Sequence, residues 1–301
     1  MKVITAAIIV VNYNNKKLTQ NCLDSLKLVK NPIFKVFLVD NSAKSNQFDE
    51  TIEQQYPFVK LLISESNIGF TGGNNLGIAY AKKNYVFDFL LLLNNDTIVD
   101  PDFLKILIRS YTQQPEIGAI TPKIYFLHDK TAIWSIGGRI NFWLGSSKSQ
   151  FQHVKDNGQF KERLEVDYIT GCCLMVSYDV LEKIGPLNNK FFAYYEDTDW
   201  SMKIKKLGLK LICEPSSKIW HVAGASTKKS SGGNSPIVWY LNLRNSLWFF
   251  KKYSSWYQKP SFWLVFIIKT SLILTYFLLK WKRDKIIACM KGIREGITER
   301  I

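Results

Sequence analysis

Residues 3–15 read VITAAIIVVNYNN, a continuous apolar and largely β-branched run that stops at a cluster of asparagines. Such a run is typical of a strand that is buried on both faces of a parallel sheet. Apolar residues at helical spacing follow, at Leu18, Cys22, Leu26 and Val29. The chain is therefore predicted to begin with a buried strand and an amphipathic helix.

The alternation of strands and helices continues along the next hundred residues. Further strands are predicted at 34–39, 59–63 and 87–93. A glycine-rich turn that runs into a helix is predicted at 66–83, and a second helix at 101–111. This order predicts a doubly wound α/β sheet, whose ligands gather at the carboxyl ends of the strands. Polar residues follow three strands, at Asn12–Asn14, Asp40–Asn41 and Asn94–Asp96. We expect them to converge on one crevice.

The second half of the chain is less regular. Residues 117–176 contain short runs and glycine pairs, which predict mixed strands and loops built over the sheet. A helix is predicted at 179–185, another at 198–207 after the aromatic and acidic run FFAYYEDTDW, and a strand at 209–222. The stretch AGASTKKSSGGNSP at 223–236 predicts a mobile loop or hinge. We therefore predict a catalytic domain at 1–230 and a C-terminal segment at 231–301.

The charge of the C-terminal segment indicates its partner. The chain has 40 basic and 25 acidic residues, a net charge of +15, which favours an anionic partner. Residues 251–294 carry ten Lys or Arg and one acid, and five of the nine tryptophans lie beyond residue 238. Nucleic acid would attract this charge but would not explain the aliphatic run at 262–279, so an anionic membrane surface is the better partner.

The run 262–279 contains 18 residues with Lys269 near its centre, which is borderline for a helix that spans a bilayer. Positive charge flanks it on both sides, so neither end is marked for translocation. We expect a segment that lies in or dips into the cytoplasmic face of the membrane, in a peripheral or monotopic protein. The alternative is a helix packed on the catalytic domain. The sequence indicates no oligomeric state.

The cysteines favour a reducing compartment, and the N-terminal run favours a strand. The five cysteines show no paired or zinc-type spacing, and Cys172 and Cys173 lie in an apolar run that predicts core positions. The N-terminal apolar run is followed by polar VNYNN without a small-residue cleavage site, so we expect a strand and not a signal peptide.

Several polar residues allow two interpretations from spacing alone. Asp96, at a strand end, suits a metal that holds phosphate oxygens, but it also suits the cap of the following helix. Asp40 could accept hydrogen bonds from a ribose or base, or fix a turn. His221 is by default a core histidine. The glycine-rich NIGFTGGNNLG lacks the Gly-Lys-Ser/Thr of a phosphate loop.

An acidic cluster follows the aromatic run. Glu196, Asp197 and Asp199 could supply a general base, or they could be the acidic first turn of a helix, where they favour its dipole. A phosphate-binding carboxylate at one strand end and a base a hundred residues later together suggest transfer of a group from a phosphate-activated donor.

The motifs taken in order resemble the family 2 glycosyltransferases, inverting enzymes with the GT-A fold, and especially their rhamnosyltransferase branch. The matching segments are IIVVNYNN, FLVDNSA, NIGFTGGNNLGI, LLLNNDT, the block from ITGCCLMV to EDTDWSMKIKKLG, and WHVAGAST, roughly residues 5–230. The resemblance implies a nucleoside-diphosphate sugar as donor, a glycan or lipid-linked acceptor, and a role in polysaccharide assembly. In that branch dTDP-rhamnose is the commonest donor, and galactose and N-acetylglucosamine donors use the same fold.

The resemblance also implies site residues. Asp197 matches the catalytic base of the family, with Glu196 beside it, and Asp96 and His221 match the ligands of a divalent Mn²⁺ or Mg²⁺. The residues assigned to the nucleotide are Val11, Asn12, Tyr13, Asp40, Asn41, Gly69, Asn75 and Asn95. The residues assigned to the acceptor are Gly171, Asp199 and Trp200, with Trp200 and the aromatic run as an apolar wall.

Two departures from the family pattern bear on these assignments. The metal motif reads Asn94-Asn95-Asp96, so one carboxylate remains and the donor diphosphate would have to complete the site. Beyond residue 235 only YLNLRNSLWFF resembles the family, and Arg244 within it could reach the diphosphate or form a structural ion pair. The alternatives to an enzyme of this family are a non-catalytic glycan- or membrane-binding relative and, less favoured, a sugar nucleotidyltransferase.

Overall fold

The computed structural model describes residues 2–222 and 234–299. The strands are β1 (Lys2–Asn12), β2 (Phe34–Asp40), β3 (Val59–Ile63), β4 (Tyr85–Asn94), β5 (Thr97–Val99), β6 (Ile117–Phe126), β7 (Ile133–Ser135), β8 (Gly138–Asn141), β9 (Ser146–Ser149), β10 (Leu164–Glu165), β11 (Cys173–Ser177) and β12 (Lys210–His221). The helices are α1 (Lys16–Leu26), α2 (Thr51–Gln55), α3 (Gly69–Asn84), α4 (Phe103–Thr112), α5 (Tyr178–Ile184), α6 (Glu196–Lys206), α7 (Pro236–Tyr253), α8 (Lys259–Leu279) and α9 (Arg283–Thr298).

The main sheet has a parallel half that the sequence predicted. Its order is β10-β12-β6-β11-β4-β1-β2-β3, with β5 and β7 paired to β12 and β6. Strands β3, β2, β1 and β4 are parallel, and the chain moves outward from β1 to β3 before it returns to the other side of β1 as β4. That reversal of direction is where open α/β sheets bind ligands.

The register brings the polar strand ends together, as expected. Asn12 pairs with Asp40 across β1 and β2, and Val11 pairs with Asn94 across β1 and β4. Because these strands are parallel, all three carboxyl ends lie at one edge of the sheet. The convergence that the sequence predicted is confirmed.

The region at 117–176 differs from its prediction. It does not lie over the sheet, because β6 and β11 are strands within it, and β11 runs antiparallel between β4 and β6. Every residue of β6 is buried, even though Thr121 and Lys123 interrupt its apolar character. Pairing between strands so distant in sequence leaves no local pattern, and this is why the sequence suggested a separate layer.

Two hydrophobic cores fill the two faces of the sheet. Along β1, Ile8 and Val10 pack with α1 and α4 on one face, whereas Ile9 packs with α3 and α6 on the other. The alternation of side chains along a strand produces this division. All five cysteines are buried and unpaired, so the core interpretation of Cys172 and Cys173 is confirmed.

The chain divides into two compact units. The first contains residues 1–138, 149–189 and 196–223, and the second contains 139–148, 190–195 and 224–301. The second unit therefore includes the β8–β9 hairpin and the aromatic segment, which the sequence had assigned to the catalytic domain. The boundary at residue 230 and most of the hinge at 223–236 lie outside the described residues, and both stay predictions.

Candidate functional site

A buried polar network occupies the ends of β1 and β2. The Asn12 amide donates to Asp40 Oδ1 at 2.9 Å and to Ser42 Oγ at 3.0 Å. Asp40 also accepts from the backbone N–H groups of Ser42 and Phe48, at 3.0 and 2.7 Å, and it has no exposed surface. Of the two roles left open for Asp40, the structure supplies the one that fixes the turn. A contact between Asp40 and a nucleotide stays a prediction.

The amide of Asn41 and the hydroxyl of Thr71 have unused capacity for hydrogen bonds. Asn41 donates to the carbonyl of Gly69, the first residue of α3, at 2.8 Å. Its Oδ1 and the Thr71 hydroxyl are buried without a partner among the described residues. A buried polar atom without a partner is unfavourable, so these two atoms, one just after β2 and one in the first turn of α3, need a partner that the described residues do not supply.

The other nucleotide assignments fall into two groups. Val11 is half-buried, Tyr13 is 48% exposed, and Asn95 donates to Thr19 Oγ1 at 2.8 Å near the end of β1. These positions, with Gly69, remain predictions. Asn75 also stays a prediction, although its amide is already engaged within the chain: its Nδ2 donates to Leu187 O and Asn189 Oδ1, and its Oδ1 accepts from Leu187 N. Its amide ties α3 to the loop after α5.

The two predicted metal ligands lie side by side. His221, at the end of β12, is 2.9 Å from Asp96 through Nε2 and Oδ1, and both residues are almost buried. Trp134 packs edge-on against the imidazole, with ring centroids 4.3 Å apart. Asp96 is followed by β5 and does not cap α4, whose cap is Asp102. The helix-cap interpretation of Asp96 is therefore wrong.

This pair suits a metal that is shared with a ligand. Among the described residues no group of three or more His, Cys, Asp or Glu could hold a metal ion. Carboxylate and imidazole are fitting donors, but a divalent ion takes more ligands than two, so phosphate and water oxygens would have to supply the rest. His221 Nδ1 is buried without a partner in the described chain, so the core-histidine interpretation leaves that atom unexplained.

The predicted base lies at the start of α6. Asp197 is half-buried, and its Oδ2 accepts from the Gly171 N–H at 2.9 Å, while Oδ1 accepts from the Thr198 N–H at 2.6 Å. Burial raises the pKa of Asp197, and these hydrogen bonds offset only part of the effect. A carboxylate with a raised pKa is a stronger base near neutral pH than an ordinary aspartate.

Glu196 has a different environment from its neighbour. It is 5% exposed, and its Oε2 is buried without a partner among the described residues. Burial, and then the charge of Asp197, hold the pKa of Glu196 well above its ordinary value. Acids in the first turn of a helix favour its dipole, and all three acids do lie there. That role does not account for a buried carboxyl group without a partner.

Two acceptor assignments are corrected. Trp200 has no exposed surface, packs in the core with Ile204, and donates its ring N–H to Gly185 O at 3.1 Å. Asp199 is also fully buried and lies 3.8 Å from Lys203. Neither side chain can touch an acceptor sugar in this structure. Gly171, which holds Asp197, stays a predicted acceptor contact.

The metal pair and the predicted base belong to the same edge of the sheet. Asn94, two residues before Asp96, donates its backbone N–H to Cys172 O at 2.9 Å, and Cys172 follows the Gly171 that bonds Asp197. Residues that the sequence did not single out also build this edge. Ser42 and Thr19 join the Asn12 network, and Trp134 comes from a distant strand with no local signal.

The raised pKa of Glu196 predicts that Glu196→Gln stabilises the folded protein, by an amount that depends on pH. Because the folded pKa is raised, ionisation of Glu196 favours the unfolded chain, and stability falls as pH rises from the unfolded pKa through the folded one. Glu196→Gln should therefore unfold at a higher denaturant concentration than wild type at about pH 7, with little difference near pH 4. Exposed Glu65→Gln is the control, and an equal gain at both pH values would contradict the assignment.

The chain matches the family model described as "Glycosyltransferase like family 2" over residues 5–233. It is 25% identical to the N-acetylglucosaminyl-diphospho-decaprenol L-rhamnosyltransferase of Mycobacterium tuberculosis, over 85% of this chain and 87% of the relative. It is 24% identical to the dTDP-rhamnosyl transferase RfbF of Shigella flexneri, over 96% and 95% of the two chains.

Solved structures show the same fold at low sequence identity. GalNAc-T7 with UDP, GalNAc and Mn²⁺ superposes with a TM-score of 0.61 at 18% identity, covering 83% of this chain and 50% of the other. The mannosyltransferase PcManGT of Pyrobaculum calidifontis, with GDP-Man and Mn²⁺, gives 0.58 at 11% identity, covering 99% and 88%. The predicted GT-A fold is confirmed, and the chain belongs to family 2 of the glycosyltransferases.

Proposed function

We propose that this glycosyltransferase moves a sugar from a nucleoside-diphosphate donor, dTDP-rhamnose in the first instance, to a hydroxyl of a lipid-linked glycan with inversion at the anomeric carbon. The observation that carries the proposal is the half-buried Asp197 carboxylate, whose pKa burial raises. It is held by the N–H of Gly171, and the next residue, Cys172, bonds to Asn94 at the strand end. The sugar and acceptor are suggested by the names of the two rhamnosyltransferase relatives.

The reaction needs three tasks from the chain. The strand-end groups around Val11, Tyr13 and Asn41 hold the nucleotide, and Asp96 and His221 face its diphosphate. Asp197 takes the proton of the acceptor hydroxyl as that oxygen bonds to the anomeric carbon. The bond from that carbon to the diphosphate oxygen breaks on the opposite face, and the nucleoside diphosphate leaves. One displacement requires no covalent intermediate on the enzyme.

A divalent cation, Mn²⁺ or Mg²⁺, is part of the proposal. Asp96 and His221 would hold it together with the diphosphate oxygens. When bound, such an ion neutralises the charge that develops on the leaving diphosphate. The solved structures with Mn²⁺ are those of other enzymes with this fold and support the choice of metal only by analogy.

A panel of sugar nucleotides tests the function. Purified protein should release the nucleoside diphosphate from dTDP-rhamnose faster than from UDP-galactose, UDP-N-acetylglucosamine or GDP-mannose. A preference for another sugar nucleotide would change the sugar in the proposal but leave the proposed reaction unchanged. Release of pyrophosphate from dTTP and a sugar phosphate, with no sugar nucleotide consumed, would overturn the proposal in favour of a nucleotidyltransferase.

We also propose that the second unit associates with an anionic membrane surface at the cytoplasmic face. Among the described residues one helix, α8, is long and apolar enough to cross a membrane, and only 17% of its most apolar window is buried. Its exposed side chains include Leu264, Ile268 and Leu272, and exposed Trp256 and Trp281 flank it. Tryptophans and lysines beside an apolar helix are typical of the bilayer interface.

The β8–β9 hairpin favours a helix in the plane of the interface. Lys269, in the middle of α8, donates to Leu144 O at 3.1 Å, and Ser261 donates to Trp143 O at 2.9 Å. A spanning α8 would carry this polar turn into the hydrocarbon, where exposed irregular backbone is strongly disfavoured. Trp143 and Leu144 are 49% and 47% exposed, as expected of a turn that enters the headgroup layer with α8.

Flotation with phosphatidylglycerol liposomes tests the association. The full chain should float, and a chain that ends near residue 250 should largely stay behind. Ile268→Lys with Leu272→Lys, on the exposed face of α8, should lower the bound fraction by more than 10-fold, because each change removes about 1.5–3 kcal/mol of apolar burial. Val86→Lys, equally exposed on β4, should float like wild type. Equal flotation of all four proteins would contradict the anchor.

A further inference from the structure

Two adjacent side chains of α7 bind the backbone of the aromatic segment at residues 190–195. The Asn245 amide donates to the carbonyls of Phe191, Ala193 and Tyr194, at 2.9, 2.8 and 2.8 Å. The Arg244 guanidinium donates to the carbonyls of Lys190 and Phe191, at 3.1 and 3.2 Å. Asn245 has no exposed surface and Arg244 is 9% exposed. Neither side chain is available to a donor diphosphate.

The segment has a backbone that needs such support. Phe192, Tyr194 and Tyr195 have φ values of 64°, 70° and 71°, in the left-handed region that residues with side chains rarely adopt. Consecutive residues in this region persist where surrounding contacts over-determine them. Five side-chain hydrogen bonds to four carbonyls of one short segment supply that constraint, because they can form only when the carbonyls point towards Arg244 and Asn245.

The two side chains are themselves held in place. Asn245 Oδ1 accepts from Arg244 Nε at 2.9 Å, and Arg244 Nη1 donates to Tyr240 Oη at 2.8 Å. Tyr240 in turn hydrogen-bonds Glu295 of α9. The guanidinium also lies over the rings of Trp248 and Tyr240, 4.3 and 4.9 Å from their centroids. A fixed donor array of this kind specifies one conformation of its partner.

The segment continues by a peptide bond into the catalytic helix. Tyr195 directly precedes Glu196, and Asp197 is the second residue of α6. The conformation at 192–195 therefore sets the direction in which the chain enters α6. A displacement of about 1 Å at a reacting group lowers rates by about 100-fold, so control of this approach matters for a base.

We propose that Asn245 and Arg244 are positioning residues, which set the backbone of residues 190–195 and thereby place the Asp197 carboxylate for proton abstraction. The inference rests on the proposed function of Asp197. It gives the YLNLRN motif of α7 a role in the transfer step that differs from binding the donor.

Asn245→Asp tests the proposal, because it keeps the shape of the side chain and removes the two N–H donors. We expect kcat to fall by about 100-fold, with the dissociation constant for dTDP within 2-fold of wild type. Hydrogen exchange of the amides at 190–198 should become faster. Asn242→Asp is the matched control, since among the described residues the Asn242 amide donates to Val238 O, within α7, and this variant should keep wild-type kcat and exchange.

A second variant covers the case in which Asn245→Asp does not fold. Arg244→Lys keeps the positive charge but loses the planar guanidinium with its several N–H donors. It should lower kcat less than Asn245→Asp does, and donor affinity should be unchanged. Faster exchange at 190–198 with wild-type kcat would overturn the proposal, as would unchanged exchange. If Asp197→Asn retained transfer, the base assignment would fail separately, and the exchange data would still report whether Asn245 holds the segment.

Discussion

Asp197→Asn should lower kcat for sugar transfer by about 10²–10⁴-fold, the range that a positioned general base contributes. The amide keeps the shape of the carboxylate and can still accept from the Gly171 N–H, but it cannot take a proton from the acceptor hydroxyl. Donor affinity should be unchanged, because the loss falls on a transition-state interaction and not on ground-state binding. Steady-state kinetics with calorimetry on dTDP separates the two.

Asp179→Asn is the matched control for this result. Asp179 lies exposed in the first turn of α5, so its replacement removes the same helix-dipole interaction without touching the crevice. It should leave kcat near wild type. If folded Asp197→Asn also transferred sugar at the wild-type rate, the first-turn interpretation of the acidic cluster would be correct and Asp197 would not be the base.

Asp96→Asn is the second variant with a large expected effect: it should weaken the joint binding of metal and donor and lower kcat. It removes the carboxylate next to His221 Nε2, and electrostatic stabilisation of this kind contributes about 10²–10³-fold to kcat. Calorimetry of Mn²⁺ with dTDP should show binding at least 10-fold weaker than in wild type. Asp102→Asn, exposed at the start of α4, should bind normally.

Because this strand end carries one carboxylate, adding a second should strengthen metal binding, the reverse of the effect of Asp96→Asn. Asn94→Asp adds a second carboxylate two residues before Asp96, and its side chain already lies 3.5 Å from His221 Nε2. This variant should bind Mn²⁺ without nucleotide more tightly than wild type. Wild-type protein that bound no nucleotide with or without Mn²⁺ would instead favour a non-catalytic relative.

The parallel half of the fold followed from local pattern, and the rest did not. Residues 59–63 were assigned as a strand with the bounds of β3, and the first, second and fourth strands were assigned within a few residues, because buried parallel strands are continuous apolar runs. The insertion of β11 between β4 and β6 depends on pairing between residues about eighty positions apart. The hairpin at 139–148 and the segment at 190–195 belong to one compact unit with α7–α9. This grouping also depends on contacts between residues distant in sequence, so local pattern could not predict it.

The site was predictable where strand ends define it and less so within α6. Asn12, Asp40 and Asp96 could be grouped because neighbouring strand ends converge, whereas His221 joined them only through the resemblance to the family. Trp200 was misassigned, although Trp200 and Ile204 have the i, i+4 spacing of a buried helix face. The contacts of Asn75 could not be predicted because its partners, Leu187 and Asn189, lie more than a hundred residues away.

The configuration of the transferred sugar tests the central claim most directly. Product made from dTDP-rhamnose, or from whichever donor the panel selects, can be examined by NMR through the one-bond carbon–hydrogen coupling at the anomeric position. A single displacement assisted by Asp197 predicts the anomeric configuration opposite to that of the donor. Product with the donor's own configuration would contradict the account, because it requires a second displacement for which this site provides no role.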